Sequence, residues 1–509
     1  MKGAFRVKQK DSKILNERKE NLAKRLERKQ FAEQPAPLLR AQNIHYEMAE
    51  RVRAIECGGI GAFHLLACNS GLVDAINEKL HLLKRHLPYH ESDHVLNIAF
   101  NTLTGGTCLD DIELRRNDEV FMDGLGVERI PDPTTAGDFT RRFGEGDVLE
   151  LMEAINSIRP KLWRKRLHRT ERREAIVDVD GTHALTCGEC KEGMGFSHDG
   201  QWCYHPLLVS LGNTMEPLYL VNRSGNRPSH DGAVQWIDRA IGLVRQSFDR
   251  VCLRGDTDFA LTAHFDRWTE EGVRFAFGID AMPNLVKIAE GLDRKLWRVL
   301  RRREKKPMSG QRRRRARNVK EEIVVEKGYR NIRLLREHVA EFSYRPTKCK
   351  RSYRVVVLRK SLSVEEGQVR LFDDVRYFFY ITNITDLSAA EIVWFCNERC
   401  NQENLIEQLK NGVKAMRMPV NTLVANWSYM VMASLAWTLK AWFALLVRKH
   451  KHRDELLGME FRRFLNGLIR IPVQIITAGR RIVYRILGYN QWVHTFMQTF
   501  DTVRRLHLA

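Results

Sequence analysis

The chain has 509 residues, enough for about three domains, and its 43% hydrophobic content suits large buried cores, which excludes a disordered or fibrous protein. Its 84 Lys+Arg against 63 Asp+Glu leave a formal charge of +21, an excess that on a soluble chain points to a polyanion, with nucleic acid first. Ten cysteines are too few for a disulfide scaffold, and the N-terminal residues hold no apolar stretch fit for a signal peptide, so a reduced, cytoplasmic compartment is expected.

Residues 1–40 carry twelve Lys/Arg against five Asp/Glu, and Pro35 and Pro37 punctuate a linker, so 1–47 is expected to be a basic arm or short helix. Residues 48–170 read as an all-α, DNA-binding region, with apolar positions at i, i+3 and i+4 in ESDHVLNIAFNTLTGG and DVLELMEAINSIRPKLW. Within it, IPDPTTAGDFTRRF places Thr134 and Thr135 as candidate N-caps before a short helix carrying Phe139, Arg141, Arg142 and Phe143. Arg141 and Arg142 either read DNA or form the solvated side of a helix packed through its two phenylalanines.

At Glu174 the pattern changes. AIVDVD, YHPLLVSLG and PLYLVNR are short β-rich runs, followed by an amphipathic helix, the buried strand RVCLRGD, another helix and the strand VRFAFGID. The order β-β-β-α-β-α-β predicts a mixed α/β sheet over residues 171–292. From 293 to 385 a basic, β-rich insertion is expected. Residues 294–320 hold fourteen Lys/Arg and one acid, with Arg312, Arg313, Arg314 and Arg315 in one run, and strand-like EEIVVEKG, YRVVVLRKSL and VRYFFYITNI follow. Helices fill 386–509, interrupted by IPVQIITAG. Met418 to Leu439 is uncharged and long enough to span a bilayer. Pro419, the polar residues around it and the adjoining Lys440 predict a helix buried in a protein core instead, with no membrane partner.

Asp178 and Asp180 end the first strand, and side-chain alternation places both carboxylates on one face. Ligands of α/β sheets collect beyond the carboxyl ends of strands, which favours Asp180. RVCLRGDTDF repeats the arrangement, with Asp256 closing a strand and Asp258 two residues on. Carboxylates near a core are costly unless paired or metal-bound, and hard oxygen ligands suit Mg2+ or Mn2+. In FCNERCNQENLIEQLKNG the spacing puts Arg399, Glu403, Glu407 and Lys410 along one side of a helix. Glu403 is placed to complete a metal site, with Arg399 and Lys410 on phosphate oxygens; an exposed helix with ordinary ion pairs is the plainer alternative. CGECKEGMGFSHDGQWCYH offers Cys187, Cys190, Cys203 and His205 to zinc, but a single CxxC spanning a strand-to-strand turn predicts free thiols.

In this order, VDVDGT, LRGDTDF and NERCNQENLIEQLK resemble the three catalytic segments of the DDE transposases of bacterial insertion sequences, over about residues 48–490. The spacing of Arg399, Glu403 and Lys410 is similar to the arginine, glutamate and lysine signature of one branch, and NTLTGGTCLDDIELRR and PTTAGDFTRRF resemble segments that precede the core. The resemblance implies an α/β catalytic core of ribonuclease H-like type with a β-rich insertion between the second and third acids, flanked by an all-α N-terminal region and C-terminal helices. It implies an enzyme that binds the ends of an insertion sequence, cleaves them and joins them to target DNA. Asp180, Asp256 and Glu403 would then hold two Mg2+ ions, with Mn2+ as a substitute, for in-line phosphoryl transfer. Arg399 and Lys410 would contact double-stranded DNA near the cut, in a homodimer on paired ends within a bacterial cytoplasm. Asp178 and Asp258 are the rival ligands, and Cys396 stands where the branch often has tyrosine. A ribonuclease H-like nuclease or resolvase that cuts without joining, and a non-catalytic DNA-binding descendant, are the competing functions.

Overall fold

The computed structural model describes residues 9–26, 44–50, 52–188, 190–197, 199–301, 330–366, 369–479 and 481–508. Arg312, Arg313, Arg314, Arg315 and the strand-like EEIVVEKG lie outside the described residues.

The basic arm contains the helix Gln9–Leu26, mostly exposed, with Leu15 buried and Arg18 donating to the carbonyls of Ile486 and Gly488. After the short strand β1 (Ala54–Ile55), helices dominate as far as Glu145–Arg166. The helix Pro133–Thr140 is capped by Asp132, whose carboxylate accepts from the Thr135 backbone N–H at 2.8 Å, and not by Thr134 or Thr135. Proline with its fixed φ suits the first helical position, which puts the cap at the residue before it, two residues ahead of Thr134. The helix ends at Thr140, so Arg141 and Arg142 follow it; both are exposed, while Phe139, stacked on His94, and Phe143 are buried.

The strands then run β2 (Glu174–Gly181), β3 (Ala184–Leu185), β4 (Gly195–Phe196), β5 (Trp202–Tyr204), β6 (Leu207–Leu211), β7 (Glu216–Val221), β8 (Arg250–Gly255) and β9 (Arg274–Ile279). They continue with β10 (Arg298–Val299), β11 (Arg330–Tyr344), β12 (Tyr353–Glu366), β13 (Val369–Thr382), β14 (Val473–Ala478) and β15 (Arg481–Ile486). One mixed sheet takes the order β10-β11-β12-β13-β9-β8-β2-β6-β7. Its β2–β8 and β8–β9 pairs are parallel, and its β2–β6, β6–β7 and β13–β9 pairs are antiparallel. Parallel neighbours need crossovers, which the helices Ala233–Arg245 and Phe265–Glu270 supply. YRVVVLRKSL and VRYFFYITNI fall in β12 and β13, and they extend the core sheet through the β13–β9 pairing. The segment read as a simple turn, CGECKEGMGFSHDGQWCYH, instead builds β4 and β5, which join β3 in a small sheet of order β3-β5-β4.

The helix Leu423–Leu445 is buried from Ala425 onward and packs on the helices Glu91–Leu103 and Glu145–Arg166 and on β7. Among the described residues no helix is long and apolar enough to cross a membrane. Its Lys440 is fully buried, with Nζ donating to the Leu457 carbonyl at 2.8 Å and lying over the Trp437 ring, and burial holds its pKa well below the usual lysine value. A buried ion pair, Arg159 Nε to Glu216 Oε1 at 3.0 Å, joins Glu145–Arg166 to β7. Trp163, Thr214 and Trp442 also donate to Glu216, so the carboxylate is fully hydrogen-bonded although it has no exposed surface.

Candidate active site

Because β2 and β8 are parallel neighbours, both deliver their last residues to the same edge of the sheet. Asp180 lies at the end of β2. A Cβ on the next residue, Gly181, would lie 2.9 Å from His205 Nε2, so only glycine lets the strand end pass so close. Asp256 follows β8 and caps the turn Thr257–Phe259, accepting from the Asp258 N–H at 3.1 Å. On the third side the helices Ala389–Asn397 and Cys400–Glu407 meet at a turn holding Arg399.

Arg399 ties the three acids together. Its Nη1 is 2.9 Å from Asp180 Oδ2 and 3.7 Å from Asp256 Oδ2, and its Nη2 is 3.3 Å from Glu403 Oε1. The Asp180 and Asp256 side chains are 13% and 33% exposed and that of Glu403 is 56% exposed, so two inner acids are joined by one that faces solvent. Burial pushes the Asp180 carboxyl up to about 7, a rise that the Arg399 charge opposes and the Asp256 charge adds to. Burial raises Asp256 as well, again against Arg399. One guanidinium against three carboxylates leaves a site with room for more positive charge, and the hard oxygen donors suit a divalent ion in kind. Among the described residues no three His, Cys, Asp or Glu groups already stand at ion-holding distance, since Arg399 lies between these acids.

The rival Asp178 is otherwise engaged. It lies opposite Arg254 in the β2–β8 register, and its two oxygens take Arg254 Nε at 2.6 Å and Nη2 at 2.9 Å. Arg254, which sequence reasoning missed, also donates to the Phe395 carbonyl at 2.7 Å and so ties both strands to the helix that leads into Arg399. Cys396 is buried, and burial pushes its thiol up to about 12, which keeps it protonated and neutral.

The single helix face expected for Arg399, Glu403, Glu407 and Lys410 needs correction. The chain turns at Arg399, and after Glu407 it widens into a π-helical turn, Gln408–Gly412, which takes Lys410 off the 3.6-residue spacing. Glu407 is exposed and accepts from Asn411 Nδ2 at 2.8 Å, outside the acid cluster. Lys410 instead lines the same cleft as Asp180, and burial lowers its pKa.

The acids stand between two clefts. The larger, about 1410 Å³, is lined by Asp180, Asp256, Asp258, Lys410, Lys414 and Arg417, and the smaller, about 390 Å³, by Asp256, Cys396, Arg399 and Glu403. Arg141 is paired with Asp138, and neither it nor Arg142 lines either cleft. Cys187 and Cys190 are exposed, Cys203 is buried in β5, and His205 Nδ1 bonds the Arg227 carbonyl at 2.8 Å, with burial holding its imidazole down at about 4.

The family model described as transposase DDE domain group 1 matches residues 57–508. No curated protein matches the chain. Among solved structures the chain is similar to the piggyBac transposase in its synaptic complex with hairpin DNA, at 9% identity and a TM-score of 0.37, covering 82% of this chain and 81% of that one.

Proposed function

This chain belongs to the transposase DDE domain group 1 family and is a DDE-type transposase, and from that premise we propose that Asp180, Asp256 and Glu403 are its catalytic carboxylates. The reaction is cleavage of double-stranded DNA at the ends of a bacterial insertion sequence and joining of those ends to target DNA. The observation that carries the assignment is the shared guanidinium: Arg399 gathers one acid from β2, one from the turn after β8 and one from the helix Cys400–Glu407. The strands β7-β6-β2-β8-β9 make the ribonuclease H-like core of this reading, with β10 to β13 as its insertion.

The three carboxylates would hold two Mg2+ ions, or Mn2+, and such ions stabilise the attacking and leaving oxygens of an in-line displacement. Asp180 and Asp256 are set by a strand end and a capped turn, whereas the more exposed Glu403 closes the set from the helix. The Arg399 guanidinium, once the acids no longer need it, offers its planar fork to phosphate oxygens, and Lys410 offers a point charge across the cleft. Partial burial strengthens both contacts relative to water. Arg141 and Arg142, outside both clefts, supply phosphate contacts away from the cut, and the run Arg312, Arg313, Arg314 and Arg315 supplies further ones. The neutral, buried Cys396 thiol is given no part at the DNA. A homodimer on paired ends, in the bacterial cytoplasm, completes the reading.

The test is cleavage of labelled transposon ends in Mg2+ alongside gel-shift binding. Asp180→Asn, Asp256→Asn and Glu403→Gln should each abolish cleavage while end binding persists, and joined products from the wild type exclude a nuclease that only cuts. If Glu403→Gln cleaves normally and Glu407→Gln does not, the helix register is one turn off. Normal cleavage by all of them removes the assignment.

A further inference from the structure

The larger cleft has a second wall that the catalytic residues do not use. It is the small sheet β3-β5-β4, where Phe196 of β4 sits in register with Trp202 of β5, their ring centroids 4.8 Å apart. Phe196 is 64% exposed and lines the cleft that also holds Asp180 and Asp256. A basic wall of the same cleft carries Lys410, Lys414 and Arg417.

Neither wall is loose. The loop between β3 and β4 is fixed to the basic wall by Glu192 N–H donating to the Asn421 carbonyl at 2.8 Å and by Lys191 Nζ on the Met418 carbonyl, and β5 holds that loop through the Tyr204 hydroxyl donating to the Glu192 carbonyl at 2.7 Å. On that basic wall Lys414 and Met418 both have φ of 53°, a left-handed conformation that side-chain-bearing residues rarely adopt. Strain of this kind persists where surrounding structure enforces it, commonly at ligand clamps. At about 1410 Å³ the cleft exceeds the roughly 300–1,000 Å³ typical of small-molecule pockets, and its cations suit a polyanion.

We propose that this cleft takes an unpaired stretch of DNA strand, one base stacking on Phe196 and the phosphates lying along Lys414 and Arg417. In a continuous duplex the base faces are covered by their neighbours, so an exposed aromatic ring beside a basic groove stacks at least cost on a base that is already unpaired. The inference rests on the transposase reading for its ligand, DNA, and adds where and in what state one strand is held.

Fluorescence anisotropy of the full-length protein with labelled oligothymidylate and with a blunt duplex tests it. The wild type should bind both. Phe196→Ala should weaken oligothymidylate binding by roughly 5- to 150-fold, the effect of one lost stacked base. Duplex binding, held by phosphate contacts, should change by less than about two-fold. Phe196→Tyr, which keeps an aromatic face, should bind oligothymidylate as the wild type does. Unchanged oligothymidylate binding in Phe196→Ala, or a loss in Phe196→Tyr equal to that in Phe196→Ala, overturns the proposal. If the wild type binds duplex but not oligothymidylate, only this inference fails; if it binds neither, the DNA transposition reading fails with it.

Discussion

Asp178 and Asp180 look equivalent along a strand, since alternation puts both on one face. What separates them is a residue far along the chain: Arg254 saturates Asp178 across the parallel register, while Asp180 shares Arg399 with two other acids. Nothing in the local pattern shows which acid receives which arginine, because the β2–β8 register is a tertiary fact. The Asp178 and Arg254 side chains are 1% and 3% exposed. Asp178→Asn should therefore destabilise the fold by about 3–5 kcal/mol in urea denaturation, the cost of leaving a buried charge unpaired. Asp258→Asn, at an exposed position, should leave stability nearly unchanged. A second residue-scale effect is pH-dependent. Burial against Phe139 holds the His94 imidazole down at about 4, below its unfolded value of about 6.5. The native state thus binds its proton later than the unfolded chain, and the stability present above about pH 6.5 is lost as pH falls toward 4. His94→Phe should flatten the fall in Tm over that window; an equally steep fall would mean His94 does not drive it.

At the scale of elements, long periodic segments were legible and short or irregular ones were not. The helix Leu423–Leu445 and the strands β8 and β9 stand where hydrophobic runs and punctuation put them. The two-residue strands β3 and β4 carry too little pattern to be read, and they form only because β5 lies between them. The break at Arg399 and the π-helical turn Gln408–Gly412 have no signature either, although they decide that Lys410 rather than Glu407 reaches the cleft. Gly412 is the contact point of that turn: a Cβ there would lie 2.9 Å from Phe461 Cβ and 3.0 Å from Gln408 Oε1. Gly412→Ala should cost about 1–3 kcal/mol through overpacking and, by shifting Lys410, weaken binding of transposon ends. Unaltered stability would show that the turn can absorb the methyl group.

For the whole molecule, the N-terminal helices, the main sheet and the C-terminal helices share one buried junction at Arg159 and Glu216. Sequence reasoning assigned those parts to separate regions, because a junction made of a few residues far apart in the chain leaves no local trace. Arg159→Met should lower stability by about 3–5 kcal/mol, since Glu216 keeps its charge with no exposed surface. Thermal unfolding should then lose cooperativity between the helical and sheet regions, whereas an unshifted transition would mean the junction is dispensable. The formal charge of +21 has its own consequence. Replacing Arg312, Arg313, Arg314 and Arg315 with alanine should flatten the log–log salt dependence of DNA binding by roughly two to four units if each meets a phosphate, and an unchanged slope would exclude that role.

The proposed assignment of Asp180, Asp256 and Glu403 as metal-holding carboxylates is tested most directly by anomalous scattering from Mn2+ in crystals of the protein with a transposon end. Manganese held between Asp180, Asp256 and Glu403, with Arg399 drawn off those acids and onto phosphate, is the expected result. Manganese elsewhere, or an Arg399 still bridging the three carboxylates in the DNA-bound state, would contradict it.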